Sequence, residues 1–368
     1  MAATPIDPRV ADRHASLMLE LPGNAHGGEH SHGARAAAVI EDAAREIADL
    51  VDADAADITF APGASAALFL AVRDTVALAR GRRARVLVSA AEHPALLAHL
   101  RRAERNGEIQ LVVIGLDDCA VPRIDLLVSE LDVGADLVCA MAANNEVGTI
   151  TSTAAIASLA RQKGARLLVD ASQAAGRIAA SEYANADYLI ISGAKMYGPR
   201  RTGALIAHLS REGSALAKDI FGSPDAPAAG ALALAFSLRS KEMAEDEARI
   251  GRMRDRLQVE LERRVEGLVV NGGSGRRIAG CLHISTPGLP GEAVVARLYD
   301  RISVSTGAAC QTGVPGPSHV LAAMPVPDWV AEGAVRIGVG IFNTEAEIEE
   351  AGGLIAEAMA PSALRRCA

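Results

Sequence analysis

The chain has 368 residues, half of them hydrophobic and 22% charged, which supplies a large core, suggests two or three domains and excludes an extended disordered polymer. A net charge of −8 argues against a dedicated nucleic-acid binder, because neutralising phosphates takes an excess of Lys and Arg. Cys119, Cys139, Cys281, Cys310 and Cys367 are scattered, odd in number and free of any CxxC pair, so neither a disulfide framework nor a zinc site is written in them.

The opening MAATPIDPRVADRH lacks the apolar core of a signal peptide, and no run approaches the ~20 apolar residues of a membrane span, so a cytoplasmic protein off the membrane is expected. Short apolar runs then recur. ITF at 58–60, RVLVSA at 85–90, IQLVVIGL at 109–116, ADLVCAMA at 135–142, ARLLVDA at 165–171 and DYLIISGA at 187–194 read as strands. Between them GASAALFLAVRDTVALARG and STAAIASLARQKG have helical spacing and end in Gly and basic residues. Strands separated by helices predict a mostly parallel sheet, with ligands at the carboxyl ends of its strands.

That pattern weakens at IFGSPDAPAAG, 220–230, which reads as a loop or junction. The charged stretch 237–264 reads as a solvent-facing helix opening a second domain. LVVN, CLHIST and ISVSTG are strand-like; a Gly/Pro loop and a terminal helix from Thr344 to Met359 complete a smaller α+β unit.

The most informative stretch is LLVDASQAAG followed by YLIISGAKMYGP, which sets Asp170 at the end of one apolar run and Lys195 just beyond the next. Singly they read as a strand-end cap and a surface lysine. Together they fit pyridoxal phosphate, which needs a carboxylate opposite its pyridine nitrogen, to keep the ring electron-poor, and a Lys amine that condenses with its aldehyde. PGAS, with Ala64 and Ser65 opening a helix after ITF, and Ser192 ahead of Lys195 are the expected phosphate cradle. An ordinary N-cap explains PGAS equally well when it stands alone.

Over nearly its whole length the chain resembles the cysteine desulfurases of the NifS/IscS type, in the class V aminotransferase group. The matching pieces are GNAHGGEHSHG, ITFAPGAS, EHPALL, ANNEVG, VDASQAAG, SGAKMYGP, STGAACQTG, GPSHVLAAM and VRIGVG. The resemblance implies an α/β, aspartate-aminotransferase-like, fold-type-I architecture. Residues 12–236 would form the large pyridoxal-phosphate-binding domain, and 1–11 with 237–368 a small domain carrying a cysteine loop.

Roles carry over onto matching positions. Lys195, Cys310 and His93 are the expected catalytic residues, His93 stacking on the ring and moving protons. Asn144 and Gln173 are expected near the ring hydroxyl, and Asp170 at the pyridine nitrogen. Arg336, in the VRIGVG strand, is the expected clamp for the substrate α-carboxylate, whose two oxygens suit a planar guanidinium; a structural salt bridge is the plainer use. Cys310 decides the reaction: among Gly307, Gly313, Pro315, Gly316 and Pro317 its thiol is expected to be accessible, to take sulfur from L-cysteine as a persulfide and to pass it to an acceptor protein.

This sequence departs from the family pattern in three places. The family's His before the lysine is replaced by Gly193-Ala194, which predicts weaker phosphate binding. The segment that reaches the neighbouring subunit is shortened to Phe221, Gly222 and Ser223; Ser223 is the candidate to supply its hydroxyl within a homodimer, and the phosphate site is looser if it does not. The Leu-Asp-Asn type strand that usually precedes ATPIDPRV is absent, which points to a truncated amino end and altered access to the site. His26, His30 and His32 lack a Cys or carboxylate cluster beside them, so no metal is expected. Rival readings are another class V enzyme (selenocysteine lyase, C–S lyase or aminotransferase) and a catalytically weakened sulfur-relay scaffold.

Overall fold

In a computed structural model, residues 3–307 and 318–360 are described. The six apolar runs are strands β1 (Ile58–Ala61), β2 (Ala84–Ser89), β3 (Ile109–Ile114), β4 (Leu137–Cys139), β5 (Arg166–Asp170) and β6 (Tyr188–Ser192). A seventh strand, β7 (Gly203–Ile206), was not expected: it is four residues long and begins with Gly, too short for a periodic signal. The sheet order is β1-β7-β6-β5-β4-β2-β3. Neighbours from β3 to β6 pair in parallel, while β7 runs antiparallel to both β6 and β1. Every residue of β6 is buried, and a parallel strand covered on both faces needs such a continuous apolar run.

Both faces of the sheet carry helices. These are α1 (Pro8–Glu20), α2 (Ser31–Val51), α3 (Ala64–Leu78), α4 (Pro94–Arg105), α5 (Ile124–Val133), α6 (Thr153–Gln162), α7 (Arg211–Phe221) and α8 (Ala226–Arg264). α3, α4 and α7 bury Leu68, Leu96, Leu100 and Ala217 against one face. α2, α5, α6 and the start of α8 bury Ile47, Leu127, Ile156 and Phe236 against the other.

The stretch 220–230 is mostly not a loop. α7 continues to Phe221, and α8 begins at Ala226, where the Asp225 side chain accepts from Ala228 N at 3.0 Å. Asp before Ala-Pro is a helix-start signal, and the Pro/Ala composition hid it. α8 then runs for 39 residues and is not merely solvent-facing. Its first half belongs to the sheet's core; Ile250, Met253, Leu257 and Leu261 belong to a separate core with Leu282, Ile284 and Val335.

That second core lies on a three-stranded antiparallel sheet of order β10-β9-β8, made of β8 (Val269–Val270), β9 (Cys281–Ser285) and β10 (Ala334–Gly338). It is completed by α9 (Gly291–Arg297) and α12 (Glu345–Met359), the latter closed by a capping box between Thr344 and Glu347, while α10 (His319–Ala323) and α11 (Asp328–Glu332) pack in a separate small cluster with Ala91, Leu116 and Met141. ISVSTG is not a strand; only Ser305 makes a bridge, to Arg336.

Candidate active site

β5 and β6 end side by side, and the residues at their carboxyl ends line one cavity of about 250 Å³. Asp170, the last residue of β5, is buried there and accepts from Ser172 N at 2.9 Å. Lys195 closes the short helical turn after β6 and lines the same cavity. Only glycine fits at the start of that turn, since a Cβ on Gly193 would lie 2.2 Å from Thr202 Oγ1. The Lys195 turn is braced from two sides. Arg177 donates to Lys195 O at 2.7 Å, and Thr4 donates to Ala194 O and accepts from Tyr197 N, both at 2.9 Å.

Ala64 and Ser65 begin α3 against this cavity, after Gly63 at φ +101°, and no side chain caps the helix. Its first N–H groups and the Ser65 and Ser192 residues therefore offer a donor-rich end suited to a phosphate. Ser172 adds a buried hydroxyl that has no partner among the described residues. At the other end stands His93, the N-cap of α4, whose Nδ1 accepts from Ala95 N at 3.1 Å. Nε2 therefore carries the hydrogen of the neutral ring. Burial holds the imidazole below its ordinary pKa; the Asp170 charge opposes this, and the Lys195 charge adds to it. Behind it, the fully buried Glu92 is pushed up to about 8 by burial first and by the charge of Asp170 second.

Gln173 lines the cavity, held through its Oε1 by Arg177 at 2.9 Å. Arg177 was missed in the sequence, although its spacing of four from Gln173 was a signal. The structure does not bring all the expected residues to this cavity. Asn144 lies behind it, its Oδ1 accepting from Glu146 N and Val147 N at 2.8 Å, while the adjacent Asn145 lines the wall. Ser223 lines a neighbouring cavity of about 410 Å³ that shares Pro62, and its buried hydroxyl has no partner among the described residues. Arg336 is buried and donates to Asn145 O at 2.9 Å. It lines a third cavity, of about 300 Å³, together with Arg177, Tyr197 and Ser305. Cys310 and Cys367 lie outside the described residues. Cys139 and Cys281 are buried free thiols, and Cys119 is a half-buried free thiol in a turn. His30 serves as the N-cap of α2, accepting from Gly33 N at 3.0 Å.

This sheet order, with its single reversed strand and its site across the ends of β5 and β6, can be set beside known proteins. The aminotransferase class-V profile matches residues 1–218 and 217–350, and the chain belongs to the aminotransferase class-V family. Its relatives include the cysteine desulfurase IscS of Shewanella baltica (strain OS223), 33% identical over 95% of this chain and 89% of that one. A NifS-like protein from Rickettsia africae superposes with a TM-score of 0.84 at 24% identity, covering 97% of each chain. DndA from Streptomyces lividans superposes with a TM-score of 0.76 at 27% identity, covering 92% of this chain and 98% of its own. The architecture is the α/β, aspartate-aminotransferase-like fold of the fold-type-I transferases.

Proposed function

We propose that this chain is a pyridoxal-phosphate-dependent cysteine desulfurase that converts L-cysteine to L-alanine and passes the sulfur, held as a persulfide on Cys310, to an acceptor protein. The observation that carries the proposal is that Asp170, His93 and Lys195 line one cavity with the uncapped start of α3. The donor set fits the cofactor: a buried carboxylate for the pyridine nitrogen, an amine for the aldehyde, and N–H groups with Ser65 and Ser192 for the phosphate. Bound there, pyridoxal phosphate would supply the electron sink that makes the substrate's α-proton acidic.

The chain's own residues do the rest. Arg336 holds the α-carboxylate with its planar fork. The Lys195 amine takes the α-proton, and His93 Nε2 holds and returns protons along the substrate. Gln173 and the Asn144–Asn145 turn support the ring hydroxyl. The Cys310 thiolate attacks the substrate sulfur, and the Cβ–S bond breaks. That bond's electron pair stays with the carbon skeleton, which takes up a proton and leaves as L-alanine, while the transferred sulfur remains on Cys310.

We divide the chain into a large cofactor-binding domain, 12–236, and a small domain of 1–11 and 237–368; the two cores on either half of α8 support this. A homodimer is supported by the exposed apolar Met18 and Leu19 on α1, with Ser223 as our candidate to offer a hydroxyl to the partner's phosphate site. We place the protein in the cytoplasm, where Cys139 and Cys281 stay free thiols. No helix among the described residues is long and apolar enough to cross a membrane.

The test is to incubate the purified holoenzyme with L-cysteine, measure alanine released per site and look for a persulfide on Cys310. Wild type is expected to give both, and Cys310→Ala neither, with its cofactor absorbance intact. Alanine and free sulfide from Cys310→Ala would instead identify a lyase, and no alanine from wild type a scaffold.

A further inference from the structure

One buried carboxyl is not used by the reaction just described. Glu146, in the turn that Asn144 caps, is almost fully buried. Its Oε2 accepts from Ser318 Oγ, the residue that follows 308–317. The residue that precedes that stretch, Gly307, lies close beside the same oxygen. A Cβ on Gly307 would lie 2.8 Å from Glu146 Oε2, 3.2 Å from His283 Nε2 and 3.3 Å from Ser318 Cβ. The chain therefore departs at Gly307 and returns at Ser318 from one point, and the Glu146 carboxyl stands at it.

That point is also tied to the catalytic wall. His319 Nε2 donates to Glu92 O, next to His93, at 2.9 Å, and its Nδ1 is 3.9 Å from Glu146 Oε1. Glu146 is itself held by its main chain, whose carbonyl accepts from Cys281 Sγ at 3.2 Å. Burial raises the Glu146 carboxyl above its usual pKa, and the Ser318 donor, His319 and Arg336 oppose that rise. A carboxyl kept only to fill a core position would not be matched on both sides by the two flanks of one segment.

We propose that Glu146 is a positioning residue for sulfur transfer: its side chain holds Ser318 beside Gly307 and so fixes where the segment bearing Cys310 is rooted relative to His93. This rests on the assignment of Cys310 as the acceptor thiol. It predicts a split between two steps. Proton exchange at the substrate α-carbon needs Lys195 and the cavity, whereas persulfide formation also needs the thiol correctly presented.

The experiment uses the full-length holoenzyme with Glu146→Ala, Glu146→Gln and Cys310→Ala. α-Proton exchange of L-alanine in deuterated water is followed by NMR, and single-turnover persulfide formation from L-cysteine by mass. Displacing the thiol by an ångström or so should slow persulfide formation about 10–100-fold in Glu146→Ala, with exchange within about twofold of wild type. Glu146→Gln, which still accepts from Ser318, should recover most of the loss. If exchange and persulfide formation fall in proportion, the carboxyl is structural and the proposal is overturned; an unchanged persulfide rate overturns it too. Should Glu146→Ala not fold, Gly307→Ala, whose added Cβ would stand 2.8 Å from Glu146 Oε2, disturbs the same point and reads the same split. Cys310→Ala separates the two failures. Alanine release at the wild-type rate from that variant defeats the desulfurase reading itself, whereas its loss there, beside normal transfer in the Glu146 variants, defeats only the positioning role.

Discussion

Arg177 donates to the backbone carbonyl of Lys195 at 2.7 Å while the same guanidinium holds Gln173 Oε1 at 2.9 Å, so one side chain joins the ends of β5 and β6. A Lys at this position carries the charge but not the fork that spans two acceptors. Arg177→Ala leaves buried acceptors unpaired, at about 1–3 kcal/mol for each such group. Both variants are expected to melt earlier and to lose cofactor absorbance faster on dialysis, with Ala the worse. Unchanged melting and retention in Arg177→Ala would remove Arg177 from the account.

Gly63 turns the chain into α3 at φ +101°, a conformation costly for any residue with a Cβ. Space is not the obstacle, because the nearest atom to an added Cβ is Arg201 Cα at 4.0 Å. Gly63→Ala is therefore expected to lose about 1–3 kcal/mol through backbone strain and to weaken cofactor binding by misdirecting the first N–H groups of the helix. Gly81, at φ +81° with nothing near its added Cβ, is the control. Gly81→Ala should lose comparable stability with unchanged cofactor affinity. Titration of the apo protein with pyridoxal phosphate measures the difference.

Glu92 predicts a pH dependence of stability. Its carboxyl is pushed to about 8 from an ordinary 4.5, chiefly by burial, and its Oε2 has no partner among the described residues. Between those two pH values the native state keeps a proton that the unfolded chain has released, so this contribution is fully present below the lower value. It is lost as pH rises toward the upper one, with a slope of about 1.4 kcal/mol per pH unit. Glu92→Gln has no such proton. Its urea midpoint is expected to gain on wild type steadily from acid to pH 8, and parallel curves for the two proteins would rule the effect out.

Asp170 and Lys195 were legible because parallel strands deliver their last residues to one edge of the sheet, so two strand-end residues in consecutive β-units become neighbours without further information. Arg336 and Ser223 show where that logic stops. Arg336 comes from β10 and Ser223 from the link between α7 and α8, and each lines its own cavity beside the first. Their distance from the cofactor pocket depends on how separately packed elements meet, which no local spacing encodes. Asn144 and Asn145 differ for a similar reason: both fit the motif, but the turn consumes the first amide and leaves the second facing the cavity. The clamp at Glu146 was invisible, since it joins residues far apart in the chain.

His93 offers the sharpest kinetic test. With Nδ1 accepting from Ala95 N, the neutral ring presents a single N–H at Nε2, and burial keeps the ring neutral to lower pH than an exposed histidine. The neutral ring donates only through that one nitrogen, and taking up a further proton, which requires both nitrogens to bear hydrogen, breaks the Ala95 contact. Desulfuration is therefore expected to hold steady as pH falls through the ordinary histidine range near 6.5 and to decline only below it. Removing the imidazole in His93→Ala should slow turnover about 10²–10⁴-fold, the usual worth of a positioned acid–base group, and erase that acid limb. Cofactor absorbance, set by Lys195, should remain. An acid limb unchanged in His93→Ala would assign it to another group and leave His93 as a wall of the cavity and the cap of α4.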